Sequence, residues 1–228
     1  MSKQRRKPGR PKGATRDPQE RRADLLAAAE RAIRAHGPSA SMEQIADEAG
    51  VAKATLYDNF DGKRGLTDAL VERYGTRVLS TIAAGLDQPR TPHEVLRGGI
   101  EVFVAVIERE LSLYRFVLAE NGSRTMLDES APPVTALLGS MLRQAGVDSG
   151  GAEAMARAVL GGIFAAAEWW SDHQTMSRSD FVDYLDDLMW PGLAATGIDR
   201  ITDPVDLSHI SRLIGGHTAT GVRTELTA

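Results

Sequence analysis

Residues 41–66, SMEQIADEAGVAKATLYDNFDGKRGL, constrain this chain more tightly than any other stretch. Met42, Ile45, Ala46 and Ala49 recur at i, i+3, i+4 and i+7, which puts one apolar stripe along a short helix. Gly50 follows where the chain must turn sharply, and Val51 supplies an apolar plug before a second helix of about two turns, from Lys53 to Asn59. Such a helix is too short to be stable alone. Leu56 and Phe60, at i and i+4, tie it inward and leave Lys53, Ala54, Thr55, Tyr57, Asp58 and Asn59 outward. Small, hydroxyl and amide side chains on a two-turn helix suit the major groove of DNA, which admits a helix and offers base edges. The plainer alternative is a helical hairpin that merely packs, with Tyr57 a packing residue and Asp58 a solvated charge.

The rest of the chain reads as helices separated by brief punctuation, with no alternating apolar runs between hairpin turns, so the fold class expected is all-α. Asp17-Pro18-Gln19-Glu20, Ser41-Met42-Glu43-Gln44 and Thr91-Pro92-His93-Glu94 each place a side-chain acceptor just ahead of a helix. About nine helices are expected, near 18–36, 42–49, 53–59, 63–86, 92–109, 111–120, 132–145, 151–174 and 178–196. Residues 121–131 read as a loop, Pro191 as the end or kink of the last helix, and Asp61 as the cap of the fourth. The expected division is a basic arm over 1–16, a three-helix DNA-binding domain over 17–75, and a connecting helix end and linker over 76–90. A larger helical domain follows over 91–199, and a loosely held tail over 200–228.

The series Ile45-Ala46, Ala49-Gly50-Val51, Thr55-Leu56-Tyr57, Phe60 and Lys63 resembles the TetR (tetracycline-repressor) family of transcription regulators. The likeness covers about residues 20–72, and beyond residue 90 it is to the family's general outline, including a Trp-rich eighth helix. The resemblance implies that Tyr57 and Lys63 contact phosphates, with Lys63 near free amides at the start of the fourth helix. It places Thr55 at the groove and Lys53 and Asn59 within reach of bases, lysine suiting guanine and asparagine adenine, and Ser41 joins them as a candidate DNA-binding residue. Two departures stand out: Ala52 replaces a common capping serine, and Gly62 replaces a common serine before Lys63.

Charge points the same way. The net charge is −4, yet residues 1–16 carry seven Lys or Arg and no acid, while residues 17–75 hold eight Lys or Arg against eleven Asp or Glu. A DNA-binding domain with that balance needs positive charge from elsewhere, and the arm provides it. Its Pro8-Gly9-Arg10-Pro11-Lys12-Gly13 is similar to the core of an AT-hook, in which an extended backbone slides arginine into a narrow A·T-rich minor groove. Arg10 and Lys12 are the candidate contacts; a generic basic arm is the alternative.

Past residue 91, apolar stripes dominate: Leu96, Ile100, Phe103, Val104 and Ile107; Leu113, Tyr114, Phe116 and Val117; then Val134, Leu137, Leu138, Met141 and Leu142. Such stripes are most simply core. With the resemblance, they imply a cavity for a small, largely apolar effector, lined by Ile100, Phe103, Val104, Ile107, Tyr114 and Met141 and closed by Phe164 and Trp169. Gly161 and Ala165 of the eighth helix, with Phe181, Tyr184, Leu185 and Leu188 of the ninth, are expected to pack on a second copy as a homodimer. An intramolecular core is the competing reading of these residues.

A small helical enzyme fares poorly as a rival. The five histidines (36, 93, 173, 209 and 217) have no metal-ligand spacing, and no nucleophile elbow or phosphate loop occurs, so neither cofactor nor metal is expected. With no cysteine, thiolate sites and disulfides are excluded. No run approaches the length of a membrane span, so the cytoplasm is the expected location. A ligand-independent architectural DNA protein would not need the roughly 140 residues past the DNA-binding domain. The expectation is thus a dimer on a palindromic double-stranded operator, released by an effector. Repression is the family's usual mode, with activation the alternative.

Overall fold

Side-chain caps decide where the helices begin. In the computed structural model, which describes residues 17–85, 90–119, 122–205 and 207, the Asp17 carboxylate accepts from the Gln19 amide at the head of α1 (Pro18–His36). Ser41 and Gln44 form a reciprocal capping box at the head of α2 (Met42–Ala49), and Thr91 with Glu94 does the same for α5 (Pro92–Arg109). Such caps satisfy amides that a helix cannot pair internally. No side chain caps α3 (Lys53–Phe60), as Ala52 foretold. Buried Leu56 and Phe60 hold it instead, each worth about 1.5–3 kcal/mol by burial.

The remaining elements are α4 (Gly62–Gly85), α6 (Leu111–Ala119), α7 (Gly122–Gln144), α8 (Ala152–His173), α9 (Arg178–Ala194) and a 3₁₀ turn at Ile198–Arg200. Among the described residues there is no strand, and the fold is all-α, an N-terminal helix-turn-helix followed by a larger helical part. One apolar cluster runs from Leu25 and Ile33 of α1 through Leu66, Leu70 and Tyr74 of α4 to Phe103, Tyr114, Phe164 and Trp170. A second joins Leu137, Leu138 and Met141 of α7 to Ala152, Ala156, Leu193, Ile198 and Ile201. Helix α4 packs on α1 and α3 at one end and on α5 and α7 at the other.

Four expectations are corrected. Residues 122–131 are helical, not a loop, and α7 passes through Pro132 and Pro133. Those prolines read as a helix start, but burial of Met126 and Ala131 on the preceding turns outweighs the two amide bonds lost. Pro191 does not end the last helix, since α9 continues past it to Ala194, with Leu193 buried. Asp61 does not cap α4: it is left-handed (φ 53°), and its amide donates to the Tyr57 carbonyl to close α3. Finally, residues 201–205 are packed rather than loose, with Ile201 and Val205 buried and the Val205 amide donating to the Arg90 carbonyl.

Candidate functional site

Two regions hold the expected functional residues, and α4 joins them. The first is the outer face of α3 with the first turn of α4. Lys53 stands exposed at the start of α3, Thr55 is half-buried, and the Tyr57 ring is 44% exposed beside Gly62. The tight passage from α3 to α4 uses two successive left-handed residues, Asp61 and Gly62 (φ 89°), so Gly62 answers a backbone demand that its position in the sequence did not reveal. Exposed Lys63 and Arg64 then occupy the first turn of α4, where unpaired amides add positive potential. Lys53, Tyr57, Lys63 and Arg64 thus share a surface that suits a phosphate backbone flanking a groove.

Asn59 and Ser41 are committed locally. The Asn59 side-chain amide donates to the Thr55 carbonyl at 2.7 Å, which leaves its oxygen and one N–H for another partner. The Ser41 hydroxyl accepts from the Gln44 amide, so its role in this structure is a helix cap. Arg10 and Lys12 lie outside the described residues.

Sequence reasoning missed Arg22. Its guanidinium donates to the Asn59 carbonyl at 2.5 Å and sits 4.4 Å from the centre of the Phe60 ring. It thereby pairs a carbonyl at the C-terminal end of α3 and pins that helix to α1. Gly65 is a second missed position. A Cβ there would fall 1.7 Å from the Phe60 carbonyl oxygen, so only glycine lets α4 pass the end of α3 this closely.

The second region is a cavity of about 140 Å³ between α4, α5, α7, α8 and the end of α9. Of the residues expected to line it, Ile100, Phe103, Met141 and Phe164 do so. Val104, Ile107 and Tyr114 do not. They lie toward the C-terminal end of α5 and on α6, fully buried in the first apolar cluster. Tyr114 packs edge-on against Phe103, with burial pushing its hydroxyl well above the ordinary range. Trp169 does not close the cavity either: it is 44% exposed and stacks on His173. The wall that the sequence did not single out comes from α4 itself, through Gly75, Val78, Leu79 and Ile82.

A cluster of charges ties this α4 segment to α1. Glu30 is buried, yet its carboxylate accepts from Arg73 at 3.0 Å and Arg77 at 2.9 Å, both on α4, and from Arg34 at 3.4 Å. Arg34 also forks onto Glu110 at the α5–α6 corner, at 2.7 and 3.2 Å. Burial raises the Glu30 pKa, but the Arg77 hydrogen bond and the charges of Arg77, Arg73 and Arg34 outweigh it and hold the carboxyl below its ordinary range. The signal was available: Glu30 shares the inward face of α1 with Leu26 and Ile33.

The face expected to meet a second copy divides in two. Tyr184 and Leu188 are 65% and 74% exposed, Ala165 is exposed, and Gly161 opens onto empty space. Phe181 and Leu185 point inward, and Phe181 stacks on Trp170 at 5.2 Å. They belong to this chain's own core. Trp169 falls on the outward stripe with Gly161 and Ala165, four residues apart on α8. Among the described residues, no group of His, Asp and Glu is placed to hold a metal, and no helix is long and apolar enough to cross a membrane.

A capped helix-turn-helix with an outward recognition helix, carried on a larger helical body, defines a DNA-binding transcriptional regulator. The family model described as bacterial regulatory proteins, tetR family, matches residues 25–70, and a tetracyclin repressor-like C-terminal domain matches residues 81–205. The chain belongs to the TetR family. It is 34% identical over 181 residues to an HTH-type transcriptional regulator of Mycobacterium tuberculosis, covering 76% of this chain and 77% of that one. It is also 28% identical to the HTH-type transcriptional activator FasR of Mycolicibacterium smegmatis, over 79% of this chain and 86% of FasR. A TetR-family regulator from Pectobacterium atrosepticum shares the fold with a TM-score of 0.67 at 22% identity, over 83% of this chain and 99% of that one. The relatives are regulators of transcription, and this chain is one too, not an enzyme.

Proposed function

We propose that the chain is a repressor that binds a palindromic operator as a homodimer and releases it when a small, largely apolar effector enters the cavity. The observation that carries this reading is the continuity of α4: Lys63 and Arg64 at its head face outward beside α3, while Gly75 to Ile82 form a wall of the cavity. An effector that favours one position of that wall biases the recognition helix as well, by no more than its difference in affinity for the two states. The Glu30 cluster makes α1 travel with α4. Tyr184, Leu188, Ala165 and Gly161 offer the face for the second copy, which sets two recognition helices about 34–36 Å apart, one turn of DNA. The basic arm, with Arg10 and Lys12, adds minor-groove contact beside each half-site, and the protein acts where the chromosome is, in the cytoplasm.

FasR is named an activator, which keeps activation as the second reading. The test of both is to select DNA from a random duplex pool with the full chain. The winning site placed upstream of a reporter in a host carrying this gene should lower its expression, whereas a rise would make the chain an activator. Winners without two-fold symmetry would count against the palindrome and the dimer together.

A further inference from the structure

The walls of the cavity carry no charged side chain among the described residues. Its lining includes Val78, Ile82, Phe103, Leu137 and Ile163, and among the described residues around it Ser130 supplies the one polar side chain and no Lys, Arg, His, Asp or Glu takes part. One carboxylate stands close to the wall without joining the lining: Glu129 Oε2 lies 2.9 Å from where a Cβ on Gly75 would be, and Gly75 lines the cavity. Pro132 and Pro133 lack amides, so the carbonyls of residues 128 and 129 receive no bond from the helical positions four residues on.

We infer that the effector is an uncharged molecule with a compact hydrocarbon body and a hydrogen-bonding group for Ser130, such as an alcohol, ketone or ester, and that ionised carboxylates are rejected. The inference rests on the cavity being the effector site and adds the chemical class. An ion leaving water for this space finds no counter-ion, and burying an unpaired charge is among the largest penalties a protein interior imposes. An ammonium finds no carboxylate in the wall, because Glu129 lies close to Gly75 without joining the lining. Size follows from volume: an apolar cavity of about 150 Å³ holds a benzene ring, so about 140 Å³ suits a body of roughly six carbons.

Gly99 supplies the control for location. It lines the cavity, and a Cβ built on it meets nothing within 4 Å, so a larger side chain fills the space without striking a neighbour at its root. The experiment compares 1-hexanol, hexanoate and hexylammonium at pH 7.5 by thermal shift and calorimetry, on the full chain and on Gly99→Leu. The expected result is that 1-hexanol binds wild type at least about a hundredfold more tightly than either ion, and that Gly99→Leu loses that binding while keeping its fold. Hexanoate or hexylammonium binding as well as 1-hexanol, with the same loss in Gly99→Leu, overturns the exclusion of charge and leaves the cavity as the site. Binding of 1-hexanol that Gly99→Leu does not alter, or no binding of any of the three, overturns the cavity reading itself.

Discussion

Replacing Glu30 by Gln probes how the DNA-binding helices are tied to the rest of the molecule. The carboxylate is buried (6% exposed) and takes hydrogen bonds from Arg73 and Arg77 on α4 and Arg34 on α1. Breaking a fully buried ion pair by neutralising one side costs about 3–5 kcal/mol. Here the three arginines are 32–40% exposed, so water takes over part of their solvation, and glutamine keeps one acceptor. A cost of about 2 kcal/mol is left, which lowers the melting temperature of a chain this size by about 4–8 °C. The pair Arg31–Glu48, shorter than any of these at 2.7 Å but exposed, is the comparison: Arg31→Ala should cost at most about 1 kcal/mol. Because folding lowers the Glu30 pKa, its contribution is present above the unfolded value of about 4.3 and is lost as pH falls through the lower, folded value. The gap between wild type and Glu30→Gln, followed by circular dichroism from pH 7 to pH 3, should therefore close at the acid end. A variant melting within about 1 °C of wild type at pH 7, or a gap that stays constant to pH 3, would refute the reasoning.

Three further outcomes are expected. Tyr57→Ala and Lys63→Ala should both bind selected DNA more weakly with melting unchanged; Lys63→Ala, which loses a cation, should also flatten the slope of log K against log salt by about 0.9, whereas uncharged Tyr57 should leave the slope as it is, and wild-type affinity in either variant would remove that residue from the phosphate contacts. Tyr184→Glu with Leu188→Glu should sediment as a monomer and bind the palindrome poorly, because both side chains stand outside this chain's core; an intact dimer would move the interface elsewhere. Gly65→Ala should push α4 away from the end of α3 and destabilise the chain by about 1–3 kcal/mol while weakening DNA binding, and a fully stable, tightly binding variant would contradict the close approach at Phe60.

Helix starts were legible wherever a cap stood in the sequence, as at Asp17, Ser41 and Thr91, because capping is local chemistry. The start of α7 was hidden because Pro132 and Pro133 give the same local signal as a first helical turn, and only the burial of Met126, distant in sequence from its partners, overrides it. Periodicity placed Phe181, Tyr184, Leu185 and Leu188 together, yet a helix face spans both sides of a contact edge. Tertiary packing sent Phe181 and Leu185 inward and left the other two out. Likewise the stripe on α5 identified apolar residues without saying which neighbour each meets. Ile100 and Phe103 face a cavity, while Val104 and Ile107 lie in solid core alongside α6. The recognition helix was readable because its constraints are short-range: a sharp turn, two inward anchors and an exposed polar face. The inward place of Glu30 on α1 was readable too, but its partners Arg73 and Arg77 were not, since they lie 43 and 47 residues away, and the pattern of α4 alone does not say that Gly75 to Ile82 face a gap between helices.

The central claim is that occupancy of the cavity controls DNA binding through α4, and one coupled titration tests it directly. The affinity of the full chain for its selected duplex is measured by fluorescence anisotropy at fixed salt, with and without saturating 1-hexanol or another cavity-binding compound, and repeated with Gly99→Leu. The account predicts that the compound weakens wild-type binding by a factor of about 5–150, that DNA weakens binding of the compound by the same factor, and that Gly99→Leu binds DNA but no longer responds. Equal DNA affinity with and without a compound bound in the cavity would contradict it.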